Sequence, residues 1–262
     1  MKALARNAGR LLALITLSFV ALQMFFALRI AAMSVFDPQS TTFQRSEAWR
    51  LALERGHVRW TQRWVDYPRI SENLKRGVIA SEDATFVDHS GIEWDAIERA
   101  WERNVRAEAR ADRIDEQRQR RDIAQAGRGS GGHPPTRSQP KLIGGSTITQ
   151  QLAKNLFLSG ERTAPRKGQE FVITLMLETL LPKQRILEIY LNNVEWGEGV
   201  FGAQAAARHY FRVDAQALGP AQAARLAVML PAPKRFELRP GSAYVSGRAA
   251  TILARMDAVE LP

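Results

Sequence analysis

A chain of 262 residues with a formal net charge of +10 allows one large domain or two small ones, and it calls for an anionic partner: nucleic acid, anionic lipid or a phosphorylated substrate. Its hydrophobic content of 45% is enough for a core, and the absence of cysteine excludes disulfides, thiolate metal sites and a thiol nucleophile.

Lys2, Arg6 and Arg10 precede an apolar run from Leu11 to Leu28, interrupted by Gln23 and a few small polar residues; Arg29 follows, and Ile30 to Phe36 is apolar again. A membrane span needs about 20 apolar residues. Leu11 to about Phe36 supplies them if Arg29 snorkels to the interface. A cleaved signal peptide would have a shorter apolar core and a small-x-small cleavage site, and no clear site follows. Residues 1–36 therefore read as a cytoplasmic tip and an uncleaved anchor, with 37–262 as the domain beyond it. The basic residues at the start place the amino terminus in the cytoplasm.

Between Asp37 and about Asn73 the pattern is mixed. Trp49, Trp60, Trp64 and Tyr67 stand among arginines, which suits either base stacking or a headgroup interface beside an anchor. The second needs no further assumption. Ser71 to Ala80 reads as a helix with Leu74, Val78 and Ile79 on one side, and it runs into Glu82 and Asp83. A carboxylate at the end of an apolar helix lies against low-dielectric surface, which raises its pKa and makes it a better base; the plainer alternative is an acid solvated at a helix end. His89 reads as a core or hydrogen-bonding histidine, since no His-Glu-x-x-His array makes it a metal ligand.

Ile92 to about Arg106 carries Trp94, Ile97, Trp101 and Val105 at helical spacing, most simply a core face. From about 107 to 141, arginine, glutamine and acids alternate and then give way to glycine and proline, as in a mobile charged insertion. An arginine-rich arm could bind nucleic acid, but the interleaved acids weaken that case and leave anionic lipid headgroups as the nearer partner. Ser138-Gln139-Pro140-Lys141 matches Ser-x-x-Lys. It lies in this loop without an accompanying Lys-Thr-Gly element, so no penicillin-binding serine is expected.

Thr147 with Gln150 fits a capping box. Gln150, Gln151 and Lys154 share one face of the helix that follows. A polar face with a cation beside a helix N-terminus suits an oxygen-rich anion, where the plainer alternative is a solvated amphipathic helix. Thr163-Ala164-Pro165 starts another helix, which carries Arg166, Lys167, Gly168, Gln169 and Glu170 before an apolar run from Phe171 to Leu177. Arg166 and Glu170, four apart, can pair. Such a pair contributes little on a surface, but at the head of a buried helix it would face a cleft. Pro182 to Asn192 forms a helix that packs through Ile186, Leu187, Tyr190 and Leu191. Gly197-x-Gly199-x-x-Gly202 is no dinucleotide fingerprint, because a helix precedes it. Further helices are expected over Ala203–Phe211, Ala221–Leu230 and about Tyr244–Met256. Strand-like alternation is nearly absent, so the chain reads as mostly α.

In order, these segments resemble the five signatures of the peptidoglycan glycosyltransferases. Glu-Asp-x-x-Phe-x-x-His-x-Gly begins at Glu82. Gly-Ser-Thr-Ile-Thr-Gln-Gln-Leu-Ala-Lys-Asn runs from Gly145, and Arg-Lys-x-x-Glu from Arg166. Lys-x-x-Ile-Leu-Glu-x-Tyr-Leu-Asn starts at Lys183, and Gly-x-x-Gly-x-x-x-Ala-Ala-x-x-Tyr-Phe ends at Phe211. The resemblance covers about Ile79 to Phe211 and is closest to the monofunctional biosynthetic members. It implies a lysozyme-like, mostly α glycosyltransferase domain on the periplasmic side of the inner membrane, held by an N-terminal transmembrane helix. It also implies polymerisation of lipid II into glycan strands with release of undecaprenyl pyrophosphate, without transpeptidase activity.

Within that resemblance Glu82 is the catalytic base that takes the proton of the acceptor's 4-hydroxyl, and Glu170 is the second catalytic glutamate. Asp83, Phe86, His89, Ser146, Thr147, Gln150, Gln151, Lys154, Asn155, Arg166 and Lys167 fall at substrate-binding positions. Lys154, Arg166 and Lys167 are the cations available to the pyrophosphate, while Ser146, Gln150 and Gln151 can hydrogen-bond phosphate or sugar oxygens. No cofactor is required. A Mg2+ ion could bridge the pyrophosphate, but no carboxylate cluster has ligand spacing and no metal ligand is assigned. The implied partners are lipid II, the growing glycan, the inner membrane, and proteins of cell division or elongation, with no nucleic acid. Three alternatives stand beside this. A lytic enzyme of the same fold would use both glutamates on finished peptidoglycan without needing the cations or the anchor. An anchored nucleic-acid-binding protein leaves the acids unexplained. A non-enzymatic membrane scaffold predicts no turnover.

Overall fold

The computed structural model describes residues 2–95, 145–158, 160–161 and 163–262, with scattered positions between 98 and 117. The chain forms two compact units, residues 1–91 with 147–262, and residues 92–146.

The first unit is built almost wholly of helices, in agreement with the sequence. They are α1 (Lys2–Ala32), α2 (Thr42–Arg55), α3 (Glu72–Glu82), α4 (Ile148–Phe157), α5 (Ala164–Leu180), α6 (Lys183–Asn193), α7 (Ala203–Phe211), α8 (Pro220–Met229), α9 (Pro233–Glu237) and α10 (Ala243–Met256). Two 3-10 turns, Tyr67–Arg69 and Ala215–Ala217, join them. Helix α3 packs on α8 and α10, and α4 packs on α2, α5 and α6. The core is the apolar stripe of each, with Leu74, Val78, Leu152, Leu156, Ile173, Leu177 and Leu226 all fully buried.

Helix starts follow local chemistry. Thr41 and Gln44 form a capping box at α2, Ser71 caps α3, and Thr163 caps α5 with Pro165 in its first turn. Gly168, inside α5, faces open space and nothing in the structure explains it. Sequence periodicity misses a small sheet of order β1-β3-β2, with β1 (Thr61–Gln62) parallel and β2 (Glu195–Gly197) antiparallel to β3 (Val200–Phe201). Strands this short show no alternation to read. Gly199 is fixed by this sheet: its φ is +73°, and a Cβ there would sit 2.0 Å from the Arg59 carbonyl oxygen.

The aromatics after the anchor part company with the headgroup expectation. Residues 42–55 are helical, and of the four aromatics only Trp49 stands well clear of the protein. Tyr67 is buried with the Lys75 ammonium 4.0 Å from its ring. Trp60 stacks on Phe201 at 4.4 Å, and Trp64 lies under the Arg185 guanidinium.

Helix α1 contains a stretch, Arg6–Ala32, long and apolar enough to cross a membrane, with a mean hydropathy of 2.3 over its best window. In the second unit Trp94 is 65% and Trp101 71% exposed, which corrects the expectation of a core face. Helical spacing shows that one face is apolar but not what covers it. Ile97, the Ser138–Lys141 segment and nearly all of the insertion at 107–141 lie outside the described residues.

One buried acid has no part in the site described below. Glu195 lies beside Glu47, its Oε1 has no hydrogen-bond partner, and Lys234 Nζ stands 3.6 Å away. Burial pushes its carboxyl up to about 7 against the pull of Lys234, with the Glu47 charge adding to the rise. The unfolded chain releases this proton near pH 4.5 and the folded chain only near 7, so this group's contribution to stability falls between those values and levels off above. Glu195→Gln should therefore raise the Tm at pH 8 relative to pH 5, compared with the parent, in thermal unfolding of the detergent-solubilised protein. An unchanged pH slope would mean that Glu195 ionises normally.

Candidate active site

The site begins where α3 stops. Asp83 leaves the helix, its own N–H still bonded to the Ile79 carbonyl, and turns its carboxylate inward, 4% exposed. One oxygen accepts the Ile148 N–H at the head of α4 at 3.0 Å; the other lies 2.8 Å from His89 Nε2. His89 Nδ1 accepts the Gly91 N–H at 3.0 Å, so the ring's proton sits on Nε2 and is donated to Asp83. The ring of contacts closes when the Thr147 hydroxyl donates to the Gly91 carbonyl at 2.7 Å.

The expected capping box at the head of α4 is present. Thr147 Oγ1 accepts the Gln150 N–H, and the Gln150 side-chain oxygen accepts the Thr147 N–H. Gln150 is 2% and Phe86 0% exposed. Asp83, Phe86, Thr147 and Gln150 thus stand in the frame behind the site, where the resemblance implied contact with substrate. The two Asp83 oxygens, the Thr147 hydroxyl and the Gln150 side-chain oxygen are each engaged within the protein. Ser146 belongs to the second unit.

Glu82, at the last position of α3, is what the frame presents. Gln151, on the first turns of α4, donates to its Oε2 at 2.9 Å. The Gln151 carbonyl oxygen accepts the Tyr190 hydroxyl at 2.9 Å, which fixes the amide's orientation. Desolvation raises the Glu82 pKa; the Gln151 and Ser81 hydrogen bonds oppose this, the Asp83 charge adds to it, and Arg248 opposes it again. Tyr190 is buried and its pKa is pushed well up by desolvation and by Glu82 and Asp83, so its hydroxyl remains a donor.

Sequence reasoning took Tyr190 only for its packing and missed Arg248. A tyrosine in a buried apolar stripe is the available signal, because its hydroxyl needs a partner. Arg248, on an exposed turn of α10, carried none.

Lys154 and Asn155 lie along α4 beyond Gln151, Lys154 exposed and Asn155 half-buried. On the adjoining α5, Glu170 is 3% exposed; Arg166 donates to one carboxylate oxygen at 2.8 Å and Lys167 to the other. The cluster keeps one net positive charge. The Arg166 Nε is buried with no hydrogen-bond partner, and an unmet buried donor of this kind is costly unless an acceptor arrives.

A desolvated carboxylate bonded to α4 and a cation cluster on α5, which packs on α4, suit transfer of a group away from an anionic leaving group, and the sequence comparisons lead to the same class of enzyme. The transglycosylase family model matches residues 50–116 and 135–257, and the chain belongs to this family. It is similar to a biosynthetic peptidoglycan transglycosylase of Burkholderia pseudomallei, 50% identical over 94% of this chain and 84% of the relative. Likeness to the protein of that name from Paraburkholderia phytofirmans is 48% over 95% and 91%, and to that from Burkholderia thailandensis 51% over 94% and 84%.

The Tyr190–Gln151–Glu82 chain has a consequence in pH. The bond donated by Gln151 favours ionised Glu82, so Gln151→Leu should raise the pKa further and move the ascending limb of the pH–rate profile to higher pH. Tyr190→Phe, which frees the amide to turn over, should move it the same way by less. A limb that stays in place in both variants would detach Glu82 from this relay.

Proposed function

We propose that this transglycosylase polymerises lipid II into peptidoglycan glycan strands, transferring the growing lipid-pyrophosphate-linked chain to the 4-hydroxyl of lipid II. The observation that carries this reading is the division of labour between the two glutamates. Glu82, desolvated and without a paired cation, is suited to accept a proton near working pH. Glu170 is tied to Arg166 and Lys167. Glu82 takes the hydroxyl proton as that oxygen attacks the donor's anomeric carbon. The bond from that carbon to the pyrophosphate breaks, and its electron pair leaves on the undecaprenyl pyrophosphate. Lys154, Arg166 and Lys167 neutralise the charge, with the unmet Arg166 Nε as a further donor. A Mg2+ ion, if the reaction uses one, would come bridging the pyrophosphate.

The reading includes α1 as a single span with its amino terminus in the cytoplasm and the enzyme on the periplasmic face of the inner membrane. The basic residues Arg6 and Arg10 before the span support that orientation. It excludes transpeptidation. Fluorescent penicillin should leave the protein unlabelled, and covalent labelling would refute this point.

The central test is polymer formation from purified lipid II. Glu82→Gln keeps the shape and removes the base, and should lower the rate about 100-fold or more while lipid II still binds. Glu170→Gln should disturb the cations, changing binding and rate together while keeping the ascending pH limb. If Glu82→Gln turned over at the parent's rate, or if Glu170→Gln alone abolished that limb, the base would be Glu170. Release of fragments from finished peptidoglycan in place of polymer growth would favour a lytic enzyme.

A further inference from the structure

Gln23 is the one amide inside the apolar run of α1, and it is not left to its surroundings. Its Nε2 donates to Gln169 Oε1 at 3.0 Å, and Gln169 Nε2 donates back to Gln23 Oε1 at 2.9 Å. Gln169 sits on α5 beside Glu170. The rest of the seam lies on the same face of α1: Phe26, Ile30 and Met33 are 8%, 0% and 4% exposed. Phe26 packs edge-on against Phe157 at 5.3 Å, and the Arg29 guanidinium lies 5.4 Å from the same ring. Elsewhere the helix is bare, with 6% of its most apolar window buried.

Helix geometry places this pair in depth. Arg10 and Arg29 are about 29 Å apart along the axis at 1.5 Å per residue, close to the roughly 30 Å of a bilayer's hydrocarbon. Gln23 then lies about 20 Å from Arg10 and about 9 Å from Arg29, inside the hydrocarbon near its outer boundary. A carboxamide there has no water to bond and is costly unless another amide meets it. A two-bond amide pair also fixes rotation and height together, which apolar packing alone does not.

We propose that the Gln23–Gln169 pair registers the anchor against α5, and that Gln169 is a positioning residue. The pair holds the first turns of α5 at the outer membrane boundary, so that Arg166, Lys167 and Glu170 stand at the level where a lipid-linked pyrophosphate must lie. The anchor on this view is part of the enzyme's geometry and more than a tether. The inference rests on the membrane-spanning lipid II polymerase proposed above.

The test uses full-length protein in lipid nanodiscs with Gln23→Leu, Gln169→Leu and the double variant. Each single change strands one amide in an apolar setting; the double leaves none. Each single variant breaks the pair and should slow glycan polymerisation about fivefold, and the double, which has lost the same pair, should be about as slow as either single. The loss should fall on kcat and KM together, as for Glu170→Gln, because the cations meet the pyrophosphate both when it binds and when it leaves. Hydrogen exchange in the first two turns of α5 should rise in both singles and to the same extent in the double. Parent-like rates in the singles, or a double variant as slow as the product of the singles, would overturn the proposal. Should the parent make no polymer at all, the function proposed above fails while the exchange pattern still decides the pair. Unchanged exchange in all three variants would overturn it there too.

Discussion

Everything at the site hangs on one buried carboxylate. Asp83 lies 65 positions from Ile148 in sequence, and most of the chain between belongs to the other unit, so no local signal brings α3 to α4. A negative charge at the positive end of a helix, met there by the Ile148 N–H, does so. Once the two ends are joined, the last residue of α3 and the first turn of α4 face each other, and Glu82 meets Gln151 as a result. The closing glycine of the first signature has its reason here too. Gly91 has a φ of +81°, and a Cβ would come within 2.7 Å of Glu178 and of Thr174 on α5. A side chain would push α5 away from the loop that His89 braces.

The parts of this arrangement that are local in sequence could be read in advance. The capping boxes, the Thr163 start of α5 with Pro165, and the Arg166–Glu170 spacing are decided by neighbours within one turn, and each helix formed about where its pattern ended. Glu82 at the end of an apolar helix also gave its own clue, since burial was implied by Val78 and Ile79 before it. What could not be read was the choice between facing a ligand and facing the protein. Thr147, Gln150, Asp83 and His89 are polar residues in the signatures, and polarity alone suits either role. Only the three-dimensional closure shows the Asp83 oxygens, both His89 nitrogens, the Thr147 hydroxyl and the Gln150 side-chain oxygen engaged within the protein. The same limit explains Trp94 and Trp101, whose periodicity marks a face without naming its partner, and α2, whose weak stripe hid it among scattered aromatics.

The contrast between the two glutamates is a matter of surroundings, because the side chains are identical. Around Glu82 stand an amide, a buried tyrosine and a second carboxylate, with Arg248 as a distant opposing charge. Around Glu170 two cations are in direct contact. Removing both cations would strand a buried acid, which is far more destabilising than losing an exposed ion pair. Glu170 therefore cannot be both a ready proton acceptor and the counter-ion that keeps Arg166 in place. Under the proposed mechanism the first task falls to Glu82, which has no paired cation among the described residues.

Helix α6 connects this chemistry to the end of the anchor. Arg185, in its first turn, donates to the Met33 carbonyl at 2.8 Å and the Phe36 carbonyl at 3.2 Å, and pairs with Asp37 and Glu188 at 2.7 Å each. Glu188 in turn accepts the Tyr67 N–H at 2.7 Å. Tyr190, two residues further on, reaches Gln151. An alternating face on one short helix thus fastens the exit of α1 on one side and sets the orientation of the amide that bonds the base on the other. A helix loaded in this way cannot shift to suit one contact without straining the other. The polar residues of this helix therefore hold the amide partner of Glu82 at a fixed place relative to the end of α1.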